Sequence, residues 1–173
     1  ETSFMISKFL KSENWPIGAL LVSVFMLAAA HAFERFMLLA PCPLCLKQRE
    51  VYWAALTIAA LAIAVTKFVK SPRLVFAFNA ALALTFCVSL WIASYHVGVE
   101  WGVFELPKIC ASQATDVPKY ATDVDLDKAY AIPTCDKVPW SLFGISMAGY
   151  NVLISFGLII VSAIAAFRSF AKK

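Results

Sequence analysis

The stretch "APCPLCLKQR", residues 40–49, sets two cysteines three positions apart between prolines, with an arginine four residues after the second. Vicinal thiols of this kind support a disulfide staple, half of a metal site, or a redox centre that trades thiols for a disulfide. Two further cysteines, Cys110 and Cys135, stand 25 positions apart, and Cys87 is isolated. A bridge between Cys110 and Cys135 would contribute roughly 3 kcal/mol as a static staple by loop closure alone. A structural zinc site asks for four ligands, usually a second CxxC or two closely spaced histidines, and the chain has neither. Haem attachment needs a histidine directly after the pair, where Leu46 stands.

The elements that position these residues are membrane spans. Of 173 residues 61% are hydrophobic and 15% charged, against about 25% charged in soluble domains, and the mean hydropathy is +0.76. Uncharged runs cover residues 15–33, 51–66, 74–99 and 138–167, and a spanning helix needs about 20. The second run is short, but Arg49 and Lys67 can snorkel their charged ends to the interfaces, so its helix extends over residues 44–69. Four runs without a polar stripe exclude a soluble amphipathic bundle. The first run lacks a small-residue cleavage site and is followed by three more spans, which argues against a signal peptide. The reading is an all-α membrane protein, a single four-transmembrane-helix bundle over residues 1–173. Its helices fall near 15–36, 44–69, 74–99 and 138–167, and its outer loops at 37–43 and 100–137.

Charge sets the orientation. Four spans put both termini on one side together with the connection "KFVKSPR", and these segments hold eight basic residues against two acidic. The other two loops and their flanks hold seven basic against nine acidic. Lysine and arginine are retained on the cytoplasmic side. Both termini are therefore expected in the cytoplasm and both cysteine-bearing loops outside, where disulfides persist. The positive charges fall where topology needs them, so nothing argues for nucleic-acid binding. Cys87, mid-span in the third helix, reads as a buried packing residue.

Pro43 suits the first helical turn, where its missing N–H forfeits no intrahelical bond, so the second helix opens there. Cys45 then sits in that first turn, where the helix dipole and Arg49, one turn on, favour a thiolate; the alternative for Arg49 is a headgroup anchor. His96, near the outer end of the third helix, is either a functional ionisable group or a histidine bonded to a neighbouring helix. His31 reads as the latter. Between Cys110 and Cys135, "DVPKYATDVDLDKAY" can form a short amphipathic surface helix. A calcium loop from Asp123, Asp125 and Asp127 lacks the glycine turn and terminal glutamate. With four cysteines on an oxidising face and no βαβ pattern for a soluble thioredoxin domain, two readings stand. One is membrane thiol–disulfide exchange, for which a lipid-soluble two-electron quinone is the natural acceptor. The other is a non-catalytic bundle, its cysteines serving as structural disulfides or as ligands of a metal site completed in space by Cys110, Cys135 and a histidine.

"MLLAPCPLCLKQR", His96 ahead of "GVEWG", the cysteines at 110 and 135, and "CDKVPWSLFGISMAGYN" leading into the last helix together resemble the DsbB family of bacterial inner-membrane disulfide-forming quinone reductases. Vitamin K epoxide reductases share the helix number and quinone chemistry, but there the loop cysteines precede the CxxC. The resemblance implies four catalytic cysteines, Cys42, Cys45, Cys110 and Cys135, with Cys110 and Cys135 paired. It also implies a quinone cofactor, ubiquinone ahead of menaquinone, held by Arg49 and His96, and no metal. A periplasmic thioredoxin-like, DsbA-like dithiol protein is the implied partner, attacking at Cys110, after which Cys135 attacks Cys42 and frees Cys45 beside the quinone. Around Cys110, "ELPKICASQ" and the loop that follows depart from the family pattern, which leaves room for a paralogue serving a different dedicated partner.

Overall fold

The computed structural model describes residues 13–111 and 134–171. Four long helices dominate: α1 (Trp15–Phe36), α2 (Pro43–Phe68), α3 (Pro72–Glu100) and α5 (Met147–Phe170), with a single helical turn, α4 (Lys108–Ala111), after α3. At 1.5 Å per residue the four long helices run roughly 33 to 43 Å, enough to cross a hydrocarbon layer of about 30 Å. All four are apolar enough to do so, and the chain is a multi-pass membrane protein.

The sequence explains where each helix starts. Proline occupies the first turn of α1, α2 and α3, where it removes a donor that has no intrahelical partner and presets φ. Cys42 caps α2, its Sγ accepting from the Cys45 backbone N–H at 3.2 Å, and Ser146 caps α5 by accepting from Gly149 N–H at 3.0 Å. The last helix begins at Met147, not near residue 138 as the uncharged run suggested, and it continues to Phe170. The intervening residues form a hairpin, β1 (Ser141–Leu142) with β2 (Ile145–Ser146), in register Ser141↔Ser146 and Leu142↔Ile145. Its two-residue turn places Phe143 at φ 51° and Gly144 at φ 77°. Positive φ at both centres is the type I′ turn that matches strand twist. Absence of charge had been read as helix there, whereas turn chemistry decides the local structure.

In lipid, helices associate through close packing more than through apolar burial. Ala55, Ala59 and Ala62 on α2, and Ser155, Ser162, Ala165 and Ser169 on α5, are buried at three-, four- or seven-residue spacing, so neighbouring backbones approach closely. Leu82 and Phe86 of α3 fill the centre beside Trp15, Leu27 and Tyr52. Helix α1 packs on α2, α2 on α3, and α3 most extensively on α5, whereas α1 and α5 barely meet. One link between that last pair is Trp15 Nε1, which donates to Ser162 Oγ at 2.9 Å at the end away from the cysteines. Large apolar side chains such as Phe25, Leu84, Trp91 and Phe156 point outward, as lipid requires.

Cys87 departs from expectation. It is exposed, because Leu82, Phe86, Ser89 and Ala93 occupy the inward stripe of α3 and position 87 falls about 100° round the helix from Phe86. Beyond α3, Gly102 at φ 70° turns the chain back, and Val103 and Phe104 donate backbone N–H groups to the Gly98 carbonyl at 2.8 and 3.1 Å. The Phe104 ring lies so close over Gly98 that a Cβ there would come within 2.3 Å of it, and it stacks on Tyr95 with centroids 5.3 Å apart. The surface helix expected within residues 116–130, and the three aspartates weighed for calcium, lie outside the described residues.

Candidate functional site

Capping brings the first two sulfurs together. With Cys42 as N-cap of α2 and Cys45 in its first turn, the two Sγ atoms are 2.7 Å apart, against roughly 2.05 Å in a formed disulfide. No bond joins them here, and sub-ångström movement separates them from one. Sharing its proton with Cys45, and then burial, push the Cys42 thiol above its ordinary pKa, while the Cys45 and Leu44 backbone N–H groups pull the other way. Cys42 thus holds the proton and Cys45 accepts it.

The second pair is a disulfide, Cys110–Cys135, with Cα atoms 5.8 Å apart. It is buried, and it packs in one cluster with Cys42, Leu44 and Val99, bordered by Cys45 and Tyr95. The turn α4 carries Cys110 to this position, and the fold-back of Phe104 over Gly98 holds the chain that leads to it. All four cysteines named from the sequence are gathered at one end of the bundle.

His96 of α3 stands at the junction. Its Nε2 lies 3.7 Å from Cys42 Sγ and 3.9 Å from Glu100 Oε1, one helical turn on. Its Nδ1 lies 2.9 Å from Gln48 Nε2. Gln48 Oε1 in turn accepts from Asn151 Nδ2 at 2.6 Å, and Asn151 Oδ1 accepts from Tyr52 O–H at 2.5 Å and from Ser155 at 3.2 Å. Glu100 Oε2 accepts from Ser146 Oγ at 2.5 Å, fastening α3 to the cap of α5. Arg49 is turned toward α1, donating to Glu34 Oε2 at 2.6 Å and to the Ala30 carbonyl at 3.1 Å. His31 is exposed, 3.7 Å from the same Glu34 on its own helix, and takes no part in the cluster.

Between α1, α2 and α5 lies a cavity of about 350 Å³, within the usual range for small-molecule sites. Cys42, Cys45, Arg49 and His96 line one wall and Phe33, Trp140 and Ile154 another. Cys110 and Cys135 lie on the far side of Cys42 and do not line it. Where α1 and α5 barely meet, Phe25 borders the cavity and is itself exposed, so the opening faces sideways. An apolar chamber with two thiols, a guanidinium and an imidazole in its wall suits a flat, lipid-soluble redox ring.

Among the described residues the ligand atoms of Cys42, Cys45 and His96 lie within 4.8 Å of one another, a spacing that could hold a metal. His96 would offer Nε2 to such an ion, while its Nδ1 is bonded to Gln48.

Gln48, Tyr52, Asn151 and Glu100 were not singled out from the sequence. The available signal was an amide or carboxylate within an apolar span, which is costly unless paired or functional.

The family model for "Disulfide bond formation protein DsbB" matches residues 12–165. A protein of Rickettsia prowazekii (strain Madrid E), described as uncharacterized, is 24% identical over 175 residues, covering 98% of each chain. No solved structure matches the chain.

Proposed function

The chain belongs to the DsbB family of disulfide bond formation proteins, and from that premise we propose that it re-oxidises a periplasmic thioredoxin-like, DsbA-like dithiol protein at the bacterial inner membrane and hands the electrons to a membrane quinone. The observation that carries this reading is the contact between the two cysteine pairs: a buried Cys110–Cys135 disulfide packed on Cys42, with Cys45 opening onto the apolar cavity. A static staple has no need of a second, unbridged pair beside it.

Thiol–disulfide exchange then runs inward. A partner thiolate attacks Cys110, the Cys110–Cys135 bond breaks, and Cys135 leaves as a thiolate. Cys135 attacks Cys42 of an oxidised Cys42–Cys45 pair, a Cys42–Cys135 bond forms, and Cys45 leaves carrying the electron pair. The second partner thiol releases the oxidised partner, and Cys110 displaces Cys42 from Cys135. Both electrons then rest on the Cys42–Cys45 pair. In that state the loop bridge is closed again and the inner pair carries two thiols. A quinone in the cavity would accept two electrons and two protons. Arg49 and His96 would bind it, the aromatic wall would exclude water, and Cys42 and Cys45 would close again.

The charge distribution supports termini in the cytoplasm and cysteine loops in the periplasm. The test uses the purified protein in detergent, reduced DsbA-like partner, and ubiquinone and menaquinone analogues, with quinone absorbance and acid-trapped mixed disulfides as readouts. Turnover is expected in the intact chain, with a mixed disulfide at Cys110. Undiminished turnover in Cys45→Ser would overturn the reading.

A further inference from the structure

The hydrogen bonds behind His96 run in one direction. Tyr52 O–H donates to Asn151 Oδ1, Asn151 Nδ2–H to Gln48 Oε1, and Gln48 Nε2–H to His96 Nδ1. As placed, Tyr52 donates to the Asn151 amide oxygen, which turns the Asn151 nitrogen toward Gln48. Asn151 can then only donate, which turns the Gln48 nitrogen toward the imidazole. Three helices contribute, since Tyr52 and Gln48 stand on α2, Asn151 on α5 and His96 on α3. Gln48, Asn151 and His96 are all buried where they border the cavity.

We infer that Gln48 and Asn151 are positioning residues that hold the His96 proton on Nε2, making His96 a fixed hydrogen-bond donor at the junction of the two cysteine pairs. There Nε2 faces Cys42 Sγ, so its proton meets the charge that appears on Cys42. The step it serves rests on the function proposed above. Cys110 thiolate bonds to Cys135, the Cys42–Cys135 bond breaks, and the electron pair departs on Cys42 sulfur, whose negative charge accepts the Nε2–H hydrogen bond. No net oxidation occurs, and the imidazole keeps its proton. Glu100, 3.9 Å from the same nitrogen, competes weakly, because its other oxygen is engaged by Ser146. The opposite tautomer would aim a lone pair at the sulfur.

Imidazole ¹⁵N spectra of the reduced, quinone-free protein in detergent test this directly. The chain has two histidines, and His31→Gln removes the other signal. The expected result is a neutral His96 ring protonated on Nε2 in the intact protein, and a mixture of tautomers in Gln48→Met. In the same variant, displacement of Cys42 from the Cys42–Cys135 bond, followed by acid trapping after mixing with reduced partner, is expected to slow roughly ten-fold, about the effect of one hydrogen bond to a charged group. Asn151→Ala keeps Gln48 but frees its amide, and is expected to shift the tautomer with a smaller slowing. A proton on Nδ1 in the intact protein would overturn the inference whatever the activity. So would a tautomer mixture in Gln48→Met with unchanged exchange, in which case the family reading stands. Failure of the intact protein to exchange disulfides between its two pairs would instead strike at the proposed function.

Discussion

Toward the cysteines, α2, α3 and α5 face one another through Gln48, His96 and Asn151, whereas further along the same helices meet through Ala55, Ala59, Leu82, Phe86 and Ser162. The far half achieves close approach mainly with small and apolar side chains, with the amide of Asn79 and several serine hydroxyls buried among them. The near half buries amides, an imidazole and a carboxylate where water is scarce, and each would be expensive alone. They are tolerated because they satisfy one another in a continuous chain, which leaves the sulfurs in defined surroundings. One stretch of helix is thus shaped for packing and the next for orientation, and substitutions in the two halves should separate accordingly.

The largest effect is expected from removing the loop pair. Cys110→Ala with Cys135→Ala should drop partner-driven quinone reduction to background, while a small dithiol still feeds the Cys42–Cys45 pair. Stopped small-dithiol turnover would show that the two pairs are not separable. In the far half, Ala59→Leu forces a larger side chain into a fully buried position and should lower stability by about 1–3 kcal/mol, read by denaturant titration in detergent, with turnover per folded molecule unchanged. Next comes Arg49→Gln, which should raise the apparent quinone KM about tenfold, some 1.4 kcal/mol, and leave the first exchange with the partner intact. Equal losses in both steps would remove Arg49 from the acceptor side. The smallest effect belongs to Ser162→Ala. It deletes the acceptor of the Trp15 indole and should cost about 0.6 kcal/mol, typical of a hydrogen bond between membrane helices.

What the sequence revealed follows the same division. Spans and the CxxC were legible because an uncharged run and a cysteine spacing are local facts. Residues 138–146 misled because they are uncharged yet fold as a hairpin around Phe143 and Gly144; Pro139 and the Phe-Gly turn were the better signs. Cys87 was placed inside because burial depends on which arc of α3 meets α5, and an almost uniformly apolar helix does not display that arc. The Tyr52–Asn151–Gln48–His96 chain was least visible, since Asn151 and Gln48 lie 103 positions apart in sequence. One asparagine in an apolar run was its only trace.

The gap between α1 and α5 has a kinetic consequence. Under the function proposed above, a site loaded through the side of the bundle would sample acceptor dissolved in lipid, not in water. Its saturation is therefore set by the mole fraction of quinone in the membrane: diluting the whole sample with buffer should leave the rate per molecule unchanged, whereas adding quinone-free lipid or detergent should slow it. The partner protein, arriving from the aqueous side, should show the reverse dependence.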